Sequence, residues 1–370
     1  MKIAIITFHG SHNYGSVLQA YATSTYLRGL GYDVEIINLR SQAQKDAYRI
    51  YTRRRFSVRQ FVDVCFTTLT YGQRKRRFDN FEYFINHILP VTKKEYATGT
   101  ELHDSELDYD IYVTGSDQVW NPECPDFDTA YYLAFTTASQ KRIAYAPSLG
   151  KSSFDYDDKE LIRHLLQNID YISCREKQGC EILRSLTDNP VTHVCDPVVL
   201  LDKHNWDEFA VAPKIDQPYI LTYFLNNNHG DRSQVDYLRK KTGYKVIALN
   251  EYLRDWLNPH IELKLDVTPQ EFVGLIKHAA IVCTNSFHAT AFSVIFQKQF
   301  FTAIASQTQV ANNNDSRKID FLTSLGLESR LLPNGTTPDL NAAVDYEKAQ
   351  SKLNVFRTAS AAFLIKALQS

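Results

Sequence analysis

The sequence has no run approaching the ~18–20 uncharged apolar residues that span a bilayer, so nothing in it reads as a transmembrane helix. It has no excess of either charge: 41 Lys+Arg stand against 42 Asp+Glu, for a formal net charge of −1. That balance gives no global electrostatic reason to expect nucleic acid as a partner. The six cysteines, at 65, 124, 174, 180, 195 and 283, form no Cys-x-x-Cys pair and no Cys-His cluster at zinc spacing, so no metal is assigned. Scattered thiols fit a reducing compartment, and a cytoplasmic protein is the base expectation. Met1–Thr7 is too short an apolar run for a signal peptide and leads straight into a strand and loop. Both standard nucleotide fingerprints are missing too: the first loop is not G-x-G-x-x-G and lacks the lysine of a P-loop.

What the chain does have is alternation. Its 370 residues, 44% apolar, suffice for two domains with proper cores. Short β-branched runs alternate with helical stretches, which predicts an α/β fold with parallel sheets. Ile3–Phe8, Val34–Leu39, Asp110–Thr114, Ile143–Ala146, Tyr171–Cys174 and Val191–Cys195 read as strands of a first half. The linker-like Pro213–Pro218 separates them from Tyr219–Phe224, Lys245–Leu249, Ala280–Thr284 and Phe300–Ile304. The expected organisation is a first Rossmann-like domain over 1–212, a second over 213–343, and a C-terminal helix, 344–370, packing back on the first. A helix over Ser16–Leu30 should end at Gly31 in a left-handed cap.

One stretch breaks the even charge. Arg40 to Arg77 holds eleven Lys/Arg against two acids, with Phe56, Phe61, Val62, Cys65, Phe66 and Leu69 interleaved. It reads as a basic helical insertion over about 40–90, with two readings. One is a pair of solvated helical faces; the other is a surface for anionic membrane lipid or a pyrophosphate-linked acceptor.

Polar clusters recur where strands end, the place where ligand clefts lie in open α/β sheets. The loop His9–Gly15, with Asn13, Tyr14 and Gly15, precedes a helix whose N–H groups could meet an anion. Gly115-Ser116-Asp117-Gln118-Val119-Trp120-Asn121 combines hydroxyl, carboxylate and amide groups with an indole ring, a set suited to a sugar's edges and its apolar face. Ser148 comes after the next strand, and Arg175-Glu176 and Asp196-Pro197 after two more. Arg175 could hold a phosphate or carboxylate bidentately, whereas Glu176 reads more simply as a salt-bridged helix start. In the second half, Asn285-Ser286-Phe287-His288 joins strand to helix, with Ser286 a natural N-cap and His288 a group that exchanges protons near neutral pH.

In this order, Asn13-Tyr14-Gly15, Gly115–Asn121, Tyr145–Ser148, Ser173–Glu176, Asp196-Pro197 and Ser286–His288 resemble the polysaccharide pyruvyl transferase family. The resemblance implies a GT-B-like fold: two Rossmann-like domains with a cleft between them and a C-terminal helix closing across. It implies phosphoenolpyruvate as co-substrate with no resident cofactor, and a cyclic pyruvate ketal on a polysaccharide sugar or its lipid-linked precursor as product. His288 and Arg175 then take the catalytic roles. Asn285, Ser286, Phe287, Arg317 and Lys318 fall on the donor side. Asn13, Tyr14, Gly15, Ser116, Asp117, Trp120, Asn121, Ser148 and Glu176 fall on the acceptor side. The family pattern places Arg two residues before the motif His, where this chain has Ser286; Arg317 or Lys318, after Asn312-Asn313-Asn314, could supply the cation. His288 is expected to line an open cleft. A nucleotide-sugar glycosyltransferase and a non-catalytic glycan-binding relative are the alternatives, and the oligomeric state is left open.

Overall fold

The computed structural model describes residues 1–51, 58–137, 139–151, 153–225, 232–249, 252–305 and 315–370. The alternation resolves into two parallel sheets. The first comprises β1 (Lys2–Ile6), β2 (Asp33–Leu39), β3 (Val91–Tyr96), β4 (Ile111–Thr114), β5 (Lys141–Ala144), β6 (Tyr171–Cys174) and β7 (Val191–His193), in the order 3-2-1-4-5-6-7. The second comprises β8 (Tyr219–Tyr223), β9 (Lys245–Ala248), β10 (Ile261–Leu263), β11 (Ile281–Thr284), β12 (Gln299–Ile304) and β13 (Leu331–Pro333), in the order 10-9-8-11-12-13. Both are Rossmann-like orders. Strand order reverses between β1 and β4 in one sheet and between β8 and β11 in the other, and crevices for ligands form at such reversals.

The central strands are short and buried on both faces: Ile3–Ile6, all four residues of β4 and all five of β8. Continuous apolar runs of this kind are what a parallel sheet covered by helices requires. Three strands carry no such signal in the sequence, and each is a sheet edge. β3 has Lys93, Lys94 and Glu95 exposed, while β10 and β13 are only three residues long. An edge strand is half covered, so its sequence shows no long apolar run.

The first long helix, Tyr14–Gly29, starts where the Asn13 side chain accepts the Gly15 N–H at 2.9 Å, and Gly31 lies just past its end at φ 89°. It packs against the helices Pro197–Leu200, Pro269–His278 and Phe287–Ile295, so it belongs to the interface between the halves. Tyr14 anchors that interface: its ring stacks on Phe272 at 4.3 Å and its hydroxyl donates to the Val267 carbonyl at 2.8 Å. The final helix, Tyr346–Gln369, straps the two sheets together. Gln350 Nε2 donates to the Val294 carbonyl in the second half, while Arg357 Nε donates to Val199 and Ser360 Oγ accepts from Cys195 N–H in the first.

The basic segment contains two helices, Val58–Leu69 and Tyr71–Tyr83; Arg53, Arg54, Arg55 and Phe56 lie outside the described residues. Part of its charge is neutralised or bonded internally. Arg76 Nε meets Asp266 Oδ2 at 2.8 Å, and Arg77 Nη1 donates to the Tyr14 hydroxyl at 3.1 Å. No described helix is long and apolar enough to cross a membrane.

Candidate functional site

The carboxyl ends of the two sheets face each other, and the polar clusters meet there. Asp196, at the end of β7, is fully buried and caps the short helix Pro197–Leu200 by accepting the Val198 N–H at 3.0 Å. Its Oδ2 receives Arg175 Nη1 at 2.6 Å and Ser116 Oγ at 3.2 Å. From the opposite half, His288 Nε2 stands 3.4 Å from the same oxygen. Burial alone would raise the Asp196 pKa; His288 and Arg175, both beside it, outweigh that and hold the carboxyl well below its usual range. The net lowering keeps Asp196 an anion.

His288 occupies the first turn of the helix Phe287–Ile295, where Ser286 Oγ accepts the Ala289 N–H at 3.4 Å as the expected N-cap. The imidazole is not in an open cleft, contrary to expectation: it is 8% exposed and lies against Gly15. A Cβ on Gly15 would collide with His288 Nδ1, so only glycine lets the first loop approach the ring. Two motifs from opposite halves of the chain are thus joined at van der Waals contact.

Arg175 is buried, and its guanidinium lies 5.2 Å over the Phe287 ring. Nε contacts Glu176 and Nη1 contacts Asp196, leaving Nη2 with no partner among the described residues. Arg317 shares the pocket, and its Nε is likewise buried with no partner among the described residues. Burial first, then the neighbouring Arg175 charge, pushes the Arg317 guanidinium below its ordinary pKa. His288 Nε2 is buried as well and faces the Asp196 carboxylate, 3.4 Å away. Arg175, Asp196, Phe287 and Arg317 surround a space of about 20 Å³, room for a single water, so the halves are closed on each other. A larger cavity, about 530 Å³, lies on the linker face between Val211–Ile215 and Lys264–Leu275, away from these groups.

Several expected ligand contacts are structural instead. Trp120 is fully buried, stacked on Tyr132 at 4.6 Å with its indole N–H on the Tyr131 carbonyl, so its ring offers no sugar platform. Tyr14 is held between the halves by Phe272 and Val267. Lys318 commits its ammonium to the Asn285 and Ala303 carbonyls and to Asp315, and supplies no cation to the cleft. Asn285 holds the chain after β8, accepting the Leu225 N–H at 2.6 Å and donating to the Leu225 carbonyl at 2.7 Å. Asn121 and Ser148 brace their own loop: Asn121 accepts the Glu123 N–H, and Ser148 Oγ accepts from Gly150. Glu176 is the salt-bridged helix start that its simpler reading anticipated. The Asn312–Asn314 stretch lies outside the described residues.

Asp117 keeps a claim on function. Its φ is 76°, left-handed for a non-glycine residue, and it bridges to Pro147 beside Ala146 at φ 57°. Strained backbone of this kind gathers at functional sites. Ser16 Oγ donates to its carboxylate at 2.5 Å, so Asp117 faces the first loop. The residue that sequence reasoning leaves without a role is Asp196. Its Asp-Pro pair announces a helix cap, but nothing local reveals that neighbouring strand ends set it against Arg175.

Two Rossmann-like halves meeting at the carboxyl ends of their sheets, with a strap helix across both, define a GT-B-like two-domain protein. A candidate UDP-N-acetylglucosamine 2-epimerase from Listeria monocytogenes has this architecture, with TM-score 0.50 at 11% identity over 100% of this chain and 90% of its own. A UDP-GlcNAc 2-epimerase from Neisseria meningitidis, bound to UDP-GlcNAc, gives 0.49 at 11% identity over 100% of both chains. An E. coli heptosyltransferase with ADP-2-deoxy-2-fluoro heptose gives 0.39 at 10% over 83% of this chain and 89% of its own. No curated protein matches the chain in sequence. The family itself is identified directly: the model of the polysaccharide pyruvyl transferases matches residues 13–308, and the chain belongs to that family.

Proposed function

We propose that the protein transfers the pyruvyl group of phosphoenolpyruvate to two hydroxyls of a glycan sugar, as a cyclic ketal. The observation that supports this most is the pair of buried guanidinium nitrogens with no partner among the described residues, Arg175 Nη2 and Arg317 Nε, beside the Asp196 carboxylate and His288. Buried donors without acceptors are costly, and a multiply charged anion is the ligand that satisfies them. Phosphoenolpyruvate brings a phosphate and a carboxylate, enough oxygens for both guanidinium groups. The enclosed space is too small for it, so donor entry requires the halves to part around Phe287 and Asp196.

His288 is the proton carrier and Asp196 orients and stabilises its charged form. One sugar hydroxyl attacks the carbon bearing the phosphate, and its proton ends on the methylene carbon, which becomes the ketal methyl. The second hydroxyl displaces phosphate from the same carbon, and its proton leaves with the phosphate. Arg175 and Arg317 neutralise the departing group. Ser286 replaces the family arginine, and Arg317 supplies a cation from the next helix, Ser316–Leu325. Incubation with phosphoenolpyruvate and a panel of glycans tests the reading: phosphate release must depend on the acceptor. Release of a nucleoside diphosphate from a nucleotide-sugar would replace it.

A further inference from the structure

The helix Val58–Leu69 presents an apolar stripe to solvent. Phe61, Val62, Cys65 and Leu69 fall within roughly 100° of arc at helical spacing, and all four are exposed, Leu69 by 71% and Phe61 by 59%. Large rings frame the stripe. Trp256, 44% exposed, sits 5.8 Å from Phe66 on this helix, and Leu257 beside it is 63% exposed. Tyr51 and Tyr71 stack at 6.1 Å, and the Tyr51 hydroxyl lies 3.3 Å from Thr68 Oγ1. Isolated surface apolar residues need no explanation, but a contiguous set on one helix does.

A cavity of about 200 Å³ lies against the same helix pair, lined by His12, Tyr48, Arg49, Arg74, Arg77 and Phe78. Arg74 connects the two features, since its guanidinium lies 5.3 Å over Phe66 and its Nε bonds Thr70 Oγ1 at 3.0 Å. Of the described cations in 40–77, Arg40, Lys45, Lys75 and Arg76 pair with Glu82, Glu95, Asp79 and Asp266, while three guanidiniums, Arg49, Arg74 and Arg77, line the cavity, Arg49 also meeting Asp46. An apolar stripe with aromatic borders and adjacent arginines matches the two layers of a bilayer surface, acyl boundary and phosphate. A second copy fits worse, because a two-fold contact would set the cavity's three arginines against their own copies.

We propose that this face docks on an anionic lipid bilayer, with Phe61, Leu69 and Trp256 entering the headgroup region and lipid phosphate occupying the arginine-lined cavity. The inference is independent of the pyruvyl reading: docking is read by binding to vesicles, the chemistry by phosphate release. The full chain is floated with vesicles of phosphatidylcholine alone and of phosphatidylcholine with phosphatidylglycerol. Binding is expected only to the anionic vesicles. Trp120 and Trp206 are fully buried, so a blue shift of tryptophan emission on binding reports Trp256, and W256F should abolish it. F61S/L69S should lose flotation while keeping its thermal melt. R49Q and R74Q should each weaken binding roughly fivefold. Absence of flotation with anionic vesicles overturns the proposal, as does undiminished flotation of F61S/L69S. A dimer that F61S/L69S renders monomeric, without flotation, assigns the face to a second copy and overturns it equally.

Discussion

His288 Nε2 stands 3.4 Å from Asp196 Oδ2, and the two residues come after strands of different sheets, β11 and β7. The carboxylate also carries Arg175 at 2.6 Å, so one oxygen couples a histidine from one half to an arginine from the other. The arrangement needs both halves; neither contains it alone.

Asp196→Asn keeps the shape and removes the charge. Turnover should fall by about 10²–10⁴, the usual contribution of a general acid–base group, because His288 loses the anion that supports its charged form. Stability should fall by about 3–5 kcal/mol, since Arg175 is left buried without this partner. Steady-state kinetics and a denaturant titration measure the two effects; wild-type turnover in the variant removes Asp196 from the reaction.

The same carboxylate fixes a pH dependence. The folded pKa of Asp196 is depressed, and so is that of Glu82, which accepts from His12 and Arg40. A depressed carboxylate contributes stability above its unfolded pKa, about 4, and that contribution is lost as pH falls below it. The gap in unfolding free energy between wild type and Asp196→Asn should therefore be widest near neutral pH and begin to narrow below about pH 5. A gap that widens toward acid contradicts this account of Asp196.

Gly15→Ala tests the contact between the motifs. The new methyl would overlap His288 Nδ1 and must push the ring or the loop away. A displacement near 1 Å costs roughly 10²-fold in rate, so kcat should drop with the fold retained. Unchanged kcat would place the ring's position outside the chemistry.

Arg317→Gln should raise the donor KM roughly tenfold to a hundredfold, the effect of losing a hydrogen bond between charged groups, with little change in stability. Trp120→Phe separates structure from binding: it removes the indole bond to Tyr131 and should cost about 1 kcal/mol of stability with the acceptor KM unchanged. A raised acceptor KM in Trp120→Phe at full stability would restore the sugar-platform role that the buried ring argues against.

The central strands and the strand-end clusters are legible in the sequence because a doubly covered parallel strand needs an unbroken apolar run, and the loop after it must be polar. The edge strands β3, β10 and β13 are not, because half-covered strands carry no such signature. Within the site, sequence reasoning places Arg175, His288 and Ser286 correctly at strand ends, and Ser286 does cap its helix. It cannot tell a side chain facing the cleft from one facing its own loop. Trp120, Lys318 and Asn285 sit at the right ends of the right strands or helices and still turn inward, onto the carbonyls of Tyr131, of Asn285 and Ala303, and of Leu225. Asp196 is hidden for the opposite reason: its partners arrive from β6, β4 and the other half of the chain.

The most direct test is mass spectrometry of a glycan acceptor after incubation with the protein and phosphoenolpyruvate, with inorganic phosphate assayed in parallel. The account predicts one phosphate released for each acceptor that gains one pyruvyl group less water, and neither event with His288→Ala. Phosphate release without acceptor modification, or an unmodified acceptor across the panel with phosphoenolpyruvate intact, would contradict it.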